Sequence, residues 1–350
     1  MATERRPLAS RAAPSATYVT PSDTQFFVGT VAMLNSLRLT GHDGELVVLD
    51  CGLSGAQRGR LEEHARVVSV PVAEGRPRHL YKASVADLAP TGLVVAIDSD
   101  VLVTGSLAGP LLDAQQGRIS AFPERRAERR FASWQTLLGL AAPVREQPYV
   151  NAGFVAFSTE RWPGLLARWQ EVCRLVPGRP RSAYRPFEAS ADDPFAFPDQ
   201  DALNALLATE VPAGAVSVWD RALAPRTPGI GVSVLDAGTL RCANDGRGTL
   251  LLHATGGPKP WERLGWSGAV FGAFVELLPR VLLADDVPLR LRRAELPVWL
   301  WDGLPGRASF GALRLSAESA RRVVHALPPR ARRRLLLGAR ARVWQARFKP

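Results

Sequence analysis

Two short segments carry side chains whose types and spacing could do chemistry. In the first, the apolar run Leu93–Ile97 (LVVAI) leads directly into Asp98-Ser99-Asp100. Carboxylates two residues apart on an extended chain project to the same side, so both can grip one hard divalent cation. Leaving them unpaired at the end of a buried strand would be costly without a cation to share. The alternative is a solvated turn, and the spacing is not rare, since Asp199 and Asp201 repeat it. The second segment is His253-Ala254-Thr255-Gly256-Gly257-Pro258-Lys259-Pro260-Trp261, which also leaves a strand-like run, Thr249–His253 (TLLLH). Its imidazole is a metal ligand by type. Gly256 permits close approach of backbone to a ligand, and Lys259 supplies a compact positive charge suited to phosphate oxygens. A lone His is more often structural and a lone Lys more often a solvated surface group. Here, however, only Lys82, Lys259 and Lys349 among 44 basic residues are not Arg, so a Lys inside a dense motif stands out.

Taken together, HxxGxxKPW and the strand-borne DxD resemble the retaining glycosyltransferases of family 8, a group that includes glycogenins, galactinol synthases and bacterial lipooligosaccharide galactosyltransferases. The resemblance runs from about Thr17 to Trp266. It implies an α/β chain with the GT-A fold, Rossmann-like, binding a nucleotide-diphospho-sugar. It also implies Asp98, Asp100 and His253 as ligands of Mn²⁺ (or Mg²⁺), with Gly256 and Lys259 as diphosphate contacts. Thr20 and Asp23 stand where the family holds uridine, Lys82 matches a basic donor contact, and Ser99 lies inside the DxD. Asn151-Ala152-Gly153 corresponds to the turn beside the donor sugar, and Asp199-Gln200 to the pair near the anomeric carbon. The expected activity is transfer of glucose or galactose from a UDP-sugar to a hydroxyl of a glycan, glycolipid or other acceptor.

The chemistry of these residue types agrees with that expectation. A divalent cation and Lys259 would stabilise charge on a departing diphosphate. Gln200 cannot be a strong nucleophile, which favours a front-face displacement with an oxocarbenium-like state. Asp199 is open to three roles: orienting or electrostatic, nucleophile of a double displacement, or cap of the helix it begins. A sugar-nucleotide nucleotidyltransferase should carry a Gly-rich basic loop after its first strand, and YVTPSDTQFF has none. A catalytically silent UDP-sugar- or partner-binding module is the competing reading of another class.

The elements that must position these groups alternate. Strands are expected at Ala16–Thr20, Glu45–Asp50, Val67–Val70, Leu93–Ile97, Gly153–Phe157 and Thr249–His253. Helices are expected around Phe27–Leu37, near Leu61, and over His79–Leu88, Arg161–Leu175 and Asp199–Leu207. Such alternation predicts an open α/β sheet, with ligands bound beyond the carboxyl ends of its strands. The Pro-rich stretch 177–198 reads as a long loop suited to a lid or an acceptor-binding segment. Arg125, Arg126, Arg129 and Arg130 either guide an acidic acceptor or form a solvated helix face paired with Glu124 and Glu128.

Composition supplies the exclusions. The chain has 350 residues, 46% hydrophobic and 22% charged, the balance of a folded protein. Three dispersed cysteines argue against a disulfide scaffold or a cysteine zinc site. The opening lacks an apolar core and no apolar run approaches a membrane span, so a cytoplasmic protein is expected. The formal charge of +11 is concentrated: residues 281–350 hold 15 basic and 5 acidic side chains, whereas residues 1–280 are nearly balanced. Nucleic acid is therefore not an expected partner of the body. The expected division is a flexible leader at 1–15, a transferase domain at 16–266 and a basic, mainly helical extension at 267–350. In the extension, Arg332–Arg334, Arg340, Arg342, Arg347 and Lys349 alternate with leucines, Trp344 and Phe348. They suit either a helix lying peripherally on an anionic membrane, near a lipid-linked acceptor, or one packed on the body.

Overall fold

Leu93–Ile97 is buried on both faces, as its unbroken apolar run predicts, and the main sheet is built around it. The computed structural model describes residues 13–124, 129–178, 192–226, 231–256, 259–262 and 266–300, with isolated positions between 308 and 328. In chain order the elements are β1 (Thr17–Ser22), α1 (Phe27–Leu39), β2 (Leu46–Asp50), α2 (Gly55–Glu62), β3 (Arg66–Ser69), β4 (Leu93–Ile97) and β5 (Val101–Val103). Next come α3 (Ala108–Gln115), β6 (Ile119–Pro123), α4 (Ser133–Leu137), β7 (Val150–Ser158), α5 (Leu165–Leu175), α6 (Pro198–Glu210) and β8 (Val216–Val218). The strands β9 (Val232–Asp236), β10 (Arg241–Asn244), β11 (Arg247–Gly248) and β12 (Leu251–His253) precede α7 (Trp266–Leu283).

Seven strands form one sheet in the order β3-β2-β1-β4-β7-β6-β8. Pairing is parallel from β3 to β4 and between β6 and β8, and antiparallel on both sides of β7. The chain thus has the α/β, mostly parallel architecture that the alternation of elements predicts. Successive residues of β4 feed two separate cores. Leu93, Val95 and Ile97 join α1 and α7 on one face, while Val94 and Ala96 join α5 and α6 on the other. β7 behaves likewise, with Phe154 and Ala156 on the first face and Val155 and Phe157 on the second. Period-two alternation between apolar residues is what a strand covered on both faces requires.

Two local features aim the site. Between Ala121 and Phe122 the β6–β7 register jumps: Ala121 lies opposite Val155, but Phe122 lies opposite Asn151. Residues 152–154 are thereby released from β6, and such bulges re-aim side chains. Separately, β5 and β12 form a two-stranded antiparallel ladder that puts His253 opposite Val101. This is what carries the second motif to the end of β4.

The α1 helix is clamped to α7 by a buried Asn. Asn35 Nδ2 donates to the carbonyls of Val281 (2.6 Å) and Leu289 (2.9 Å), and its Oδ1 accepts from Leu289 N–H at 3.1 Å. Phe274, Leu278, Val281 and Leu282 of α7 enter the same core as β4.

Some elements differ from the sequence expectation. β5, β6, β8 and the ribbon β9–β11 lie outside the sequence expectation: β6 and β8–β11 interleave Ser, Arg, Asp, Asn or Gly with their apolar residues, and β5 is only three residues long. His79–Leu88 is a 3₁₀ rather than an α-helix. The helix expected from Arg161 begins at Leu165, after Pro163-Gly164. Among the described residues no helix is long and apolar enough to cross a membrane. The basic tail from Arg332 to Lys349, with the membrane and packing readings attached to it, lies outside the described residues, as do residues 1–12 and 179–191.

Candidate functional site

Asp98, Asp100 and His253 converge at the carboxyl end of β4, each offering a ligand atom, all within 4.8 Å of one another. The two carboxylates meet through a turn, with Val101 N–H donating to the Asp98 carbonyl at 3.2 Å, rather than along the extended chain expected from the sequence. His253 joins them because Ala254 N–H donates to the Asp100 carbonyl at 2.9 Å, continuing the β5–β12 ladder. Its Nε2 lies 3.4 Å from Asp98 Oδ2 and 3.2 Å from Asp100 Oδ1. Burial alone would lower the His253 pKa, but the Asp100 and Asp98 carboxylates outweigh it and raise the pKa above the usual 6.5.

Both lysines singled out in the sequence enter this cluster. Lys82 Nζ, 1% exposed, lies 2.6 Å from Asp98 Oδ1 and 3.2 Å from Asp199 Oδ2, and donates to the Ala152 carbonyl at 2.7 Å. Burial would lower its pKa, yet Asp98 and Asp199 hold it above the ordinary lysine value. Lys259 Nζ pairs with Asp100 Oδ2 and donates to the Ala254 carbonyl at 2.8 Å. Burial would raise both aspartates. Instead Lys82 and His253 hold Asp98 well below the usual carboxylate range, and Lys259 and His253 bring Asp100 down to about 2. Both carboxylates therefore stay ionised at neutral pH, as metal ligation requires. Two carboxylates and one imidazole form a mixed oxygen–nitrogen donor set that suits a divalent ion such as Mn²⁺.

A second layer lies between β7 and α6. Asn151 Nδ2 donates to Gln200 Oε1 at 2.7 Å, and Ala152 N–H donates to the same oxygen at 3.2 Å. Asn204 ties the elements together, accepting from Val150 N–H at 2.7 Å and donating to the carbonyls of Val150 and Gln200. Gly153 carries no side chain where the His253 ring passes. Asp199 lies in the first turn of α6 and does not cap it; its carboxylate serves Lys82 instead. His79 Nε2 is a further 3.8 Å neighbour of Asp199, and burial lowers its pKa.

The second DxD splits. Asp201 points away from Asp199 and accepts from Arg129 Nε (3.0 Å) and Nη2 (2.8 Å), Tyr149 Oη (2.6 Å) and Phe197 N–H (2.8 Å). Burial pushes it up to about 6 against the opposing pull of Arg129 and Tyr149. Arg129 is thus neither an acceptor guide nor part of a solvated face: it is 8% exposed and turned inward. Arg130 is exposed, and Arg125, Arg126 and Glu128 lie outside the described residues.

The nucleotide-side candidates are placed less directly. Thr20 is fully buried in β1, and its hydroxyl has no hydrogen-bond partner among the described residues. Asp23 receives Gln25 and Phe26 N–H, each at 3.0 Å, and lies 3.4 Å from Arg78 Nη1. The Phe26 ring faces both Arg78 and Lys259, and so links this turn to the Asp100–Lys259 pair of the candidate metal site. Gly256 has φ +86°, a left-handed conformation that favours glycine. Ser99 is buried beneath Gly29 of α1, where a Cβ would come 2.5 Å from the Ser99 carbonyl and 2.3 Å from the Trp261 ring. Trp261 in turn donates to the Gln25 carbonyl at 3.0 Å.

One pairing at the site escapes a sequence reading, which instead puts Glu124 on a solvated helix face; Glu124 is buried. Glu124, at the end of β6, accepts from Asn151 and Gln200 and pairs with Arg226, which itself sits in an unremarkable loop. Neither belongs to a motif, and only the fold brings them together.

No protein-family model and no curated protein sequence matches the chain. Among solved structures it is similar to the galactosyltransferase LgtC in complex with donor and acceptor sugar analogues. That likeness has 19% identity, covers 77% of this chain and 98% of that one, and has a TM-score of 0.49. It is also similar to the bifunctional glycosyltransferase WbbM (17% identity, 81% of this chain, 51% of that one, TM-score 0.49). A third is the glycosyltransferase GlyE of Streptococcus pneumoniae (15% identity, 76% and 62% coverage, TM-score 0.46).

Proposed function

We propose that the chain is a metal-dependent retaining glycosyltransferase that moves a hexose, glucose or galactose, from a UDP-sugar to a hydroxyl of a carbohydrate or lipid-linked acceptor. The observation that carries this reading is the convergence of Asp98, Asp100 and His253, drawn from two distant motifs, with Lys82 and Lys259 paired to the carboxylates. Asp98, Asp100 and His253 would hold the cation, which when bound supplies Lewis-acid stabilisation of the departing diphosphate.

The remaining work falls to side chains of the chain itself. Lys259, fixed by Asp100 and the Ala254 carbonyl, brings a positive charge to the diphosphate oxygens. Gly256 lets the backbone approach them closely. Lys82 neutralises Asp199 and keeps it oriented beside Ala152, which assigns Asp199 an electrostatic and orienting role. Gln200 presents a carbonyl dipole at the Asn151–Ala152 turn, where it would favour positive charge developing on the sugar ring. Among the described residues the carboxylates beside Gln200 are ion-paired, Asp199 with Lys82 and Glu124 with Arg226, which supports front-face displacement with retention.

The test is release of UDP from UDP-glucose and UDP-galactose by the full chain with Mn²⁺, followed by the anomeric configuration of the product. Turnover that is lost on chelation and in Asp100→Asn is expected. Intact UDP binding with no turnover of any UDP-sugar would instead leave a binding module.

A further inference from the structure

Gln200 has no fixed orientation on its own, because a carboxamide can turn over and exchange its oxygen for its nitrogen at almost equal shape. In this fold the choice is dictated from both ends of a hydrogen-bond chain. At one end Gly153 N–H, which can only donate, gives to Asn151 Oδ1 at 2.9 Å. The Asn151 amide must then present Nδ2 to Gln200 Oε1, at 2.7 Å. At the other end Glu124 Oε2, which as a carboxylate can only accept, takes Gln200 Nε2 at 3.3 Å and Asn151 Nδ2 at 3.2 Å. A reversed Gln200 would set its carbonyl against that carboxylate and its NH₂ against the Ala152 N–H.

Glu124 can hold this post at 9% exposure because Arg226 pairs with it. Arg226 is itself anchored twice. Its Nη2 donates to the Pro123 carbonyl at 3.0 Å, and its backbone bridges to His253 while His253 N–H donates to the Pro225 carbonyl at 3.1 Å. The strand that delivers the metal-ligating imidazole and the carboxylate that orients Gln200 are therefore held by one stretch of backbone.

We propose that Glu124, held by Arg226, is a positioning residue that locks the carboxamide of Gln200 with its oxygen toward the Asn151–Ala152 turn. The proposal rests on the transferase reading, since it assigns Gln200's oxygen a role in the sugar-transfer step.

The experiment measures UDP release and transfer by the full chain with Mn²⁺, comparing the unaltered protein, Glu124→Ala, Glu124→Gln, Arg226→Met, and Glu124→Ala combined with Gln200→Ala. Losing the orientation should lower kcat by about 100-fold in Glu124→Ala, the scale of a misplaced reacting group. UDP affinity and donor KM should move by less than about threefold, as for an interaction made only in the transition state. Glu124→Gln, which can still offer one oxygen acceptor, should recover part of the loss, and Arg226→Met should reproduce part of it. In the Gln200→Ala background, Glu124→Ala should cost no more than about twofold further, because the group it orients is gone. Equal losses in both backgrounds, or a loss that follows melting temperature or donor KM with kcat unchanged, would overturn the positioning role. If Glu124→Ala does not fold, Glu124→Gln and Arg226→Met decide on the same readouts. An unaltered protein that turns over no UDP-sugar overturns the transferase reading first, and this inference with it. A turning-over protein indifferent to Glu124 overturns this inference alone.

Discussion

Gly153 lies directly against His253: a Cβ built at position 153 would stand 2.2 Å from Cε1 and 2.8 Å from Nδ1 of the imidazole. The ring of the candidate metal ligand is therefore seated on bare backbone, at a point of β7 that the β6–β7 register jump has released from pairing with β6. Gly153→Ala should displace the imidazole and weaken Mn²⁺ binding about 10- to 100-fold, the range seen when support for a metal ligand is lost. Calorimetric titration with Mn²⁺ checks this, and unchanged affinity would remove His253 from the ligand set.

Protons would compete with a metal for His253. Its pKa is raised, so the stability it lends the metal-free fold is complete below the ordinary 6.5 and is lost as pH rises through the raised value. Metal affinity runs the other way. It should fall as pH drops through that same value, while Asp100, near 2, stays ionised throughout. Mn²⁺ titrations at pH 6, 7 and 8 should give rising affinity, accompanied by proton release. A flat profile would mean that the imidazole does not ligate.

Asp201 anchors rather than reacts. Asp201→Ala strands the Arg129 guanidinium, 8% exposed, without its carboxylate. Breaking a buried pair from one side costs about 3–5 kcal/mol. Urea denaturation should register a loss of that size. A loss near zero would mean that Arg129 reaches solvent in solution.

Asn35 should be as sensitive, although it lies far from any chemistry. Asn35→Leu removes the partners of two backbone carbonyls and one N–H at the α1–α7 contact. Each buried orphan costs roughly 1–3 kcal/mol. The cooperative transition should move to lower denaturant, with faster hydrogen exchange in α7 before the main sheet opens. A variant as stable as the parent would show the clamp to be redundant.

How much of this was legible beforehand depends on where the determining contact lies. Asp98, Asp100, His253 and Lys259 could be read because each sits in a dense motif at a strand end, and strand ends are where α/β sheets place ligands. Leu93–Ile97 was readable because burial on both faces demands an unbroken apolar run. The roles of Asp199 and Asp201 were not readable. One spacing served two different partners, Lys82 and Arg129, and nothing local distinguishes them. Glu124 reads in the sequence as a partner of the neighbouring arginines; its pairing with Arg226 was unreadable for a related reason, since it exists only after β6 and the loop before β9 have been folded side by side. Burial was not readable at Thr20 either: a polar side chain expected at the uridine is fully buried in β1.

The β5–β12 ladder also sets an order of events. Lys259 and Asp100 are separated by 159 positions, and Thr104 and Thr249, whose hydroxyls bond at 2.7 Å, by 145. Contacts of such long sequence separation form late, because loop closure must be completed before they contribute. During synthesis the two aspartates at the end of β4 leave the ribosome long before His253 and Lys259, in the company of Lys82 alone. Asp98 and Asp100 gain His253 and Lys259 as neighbours only once β12 has docked on β5.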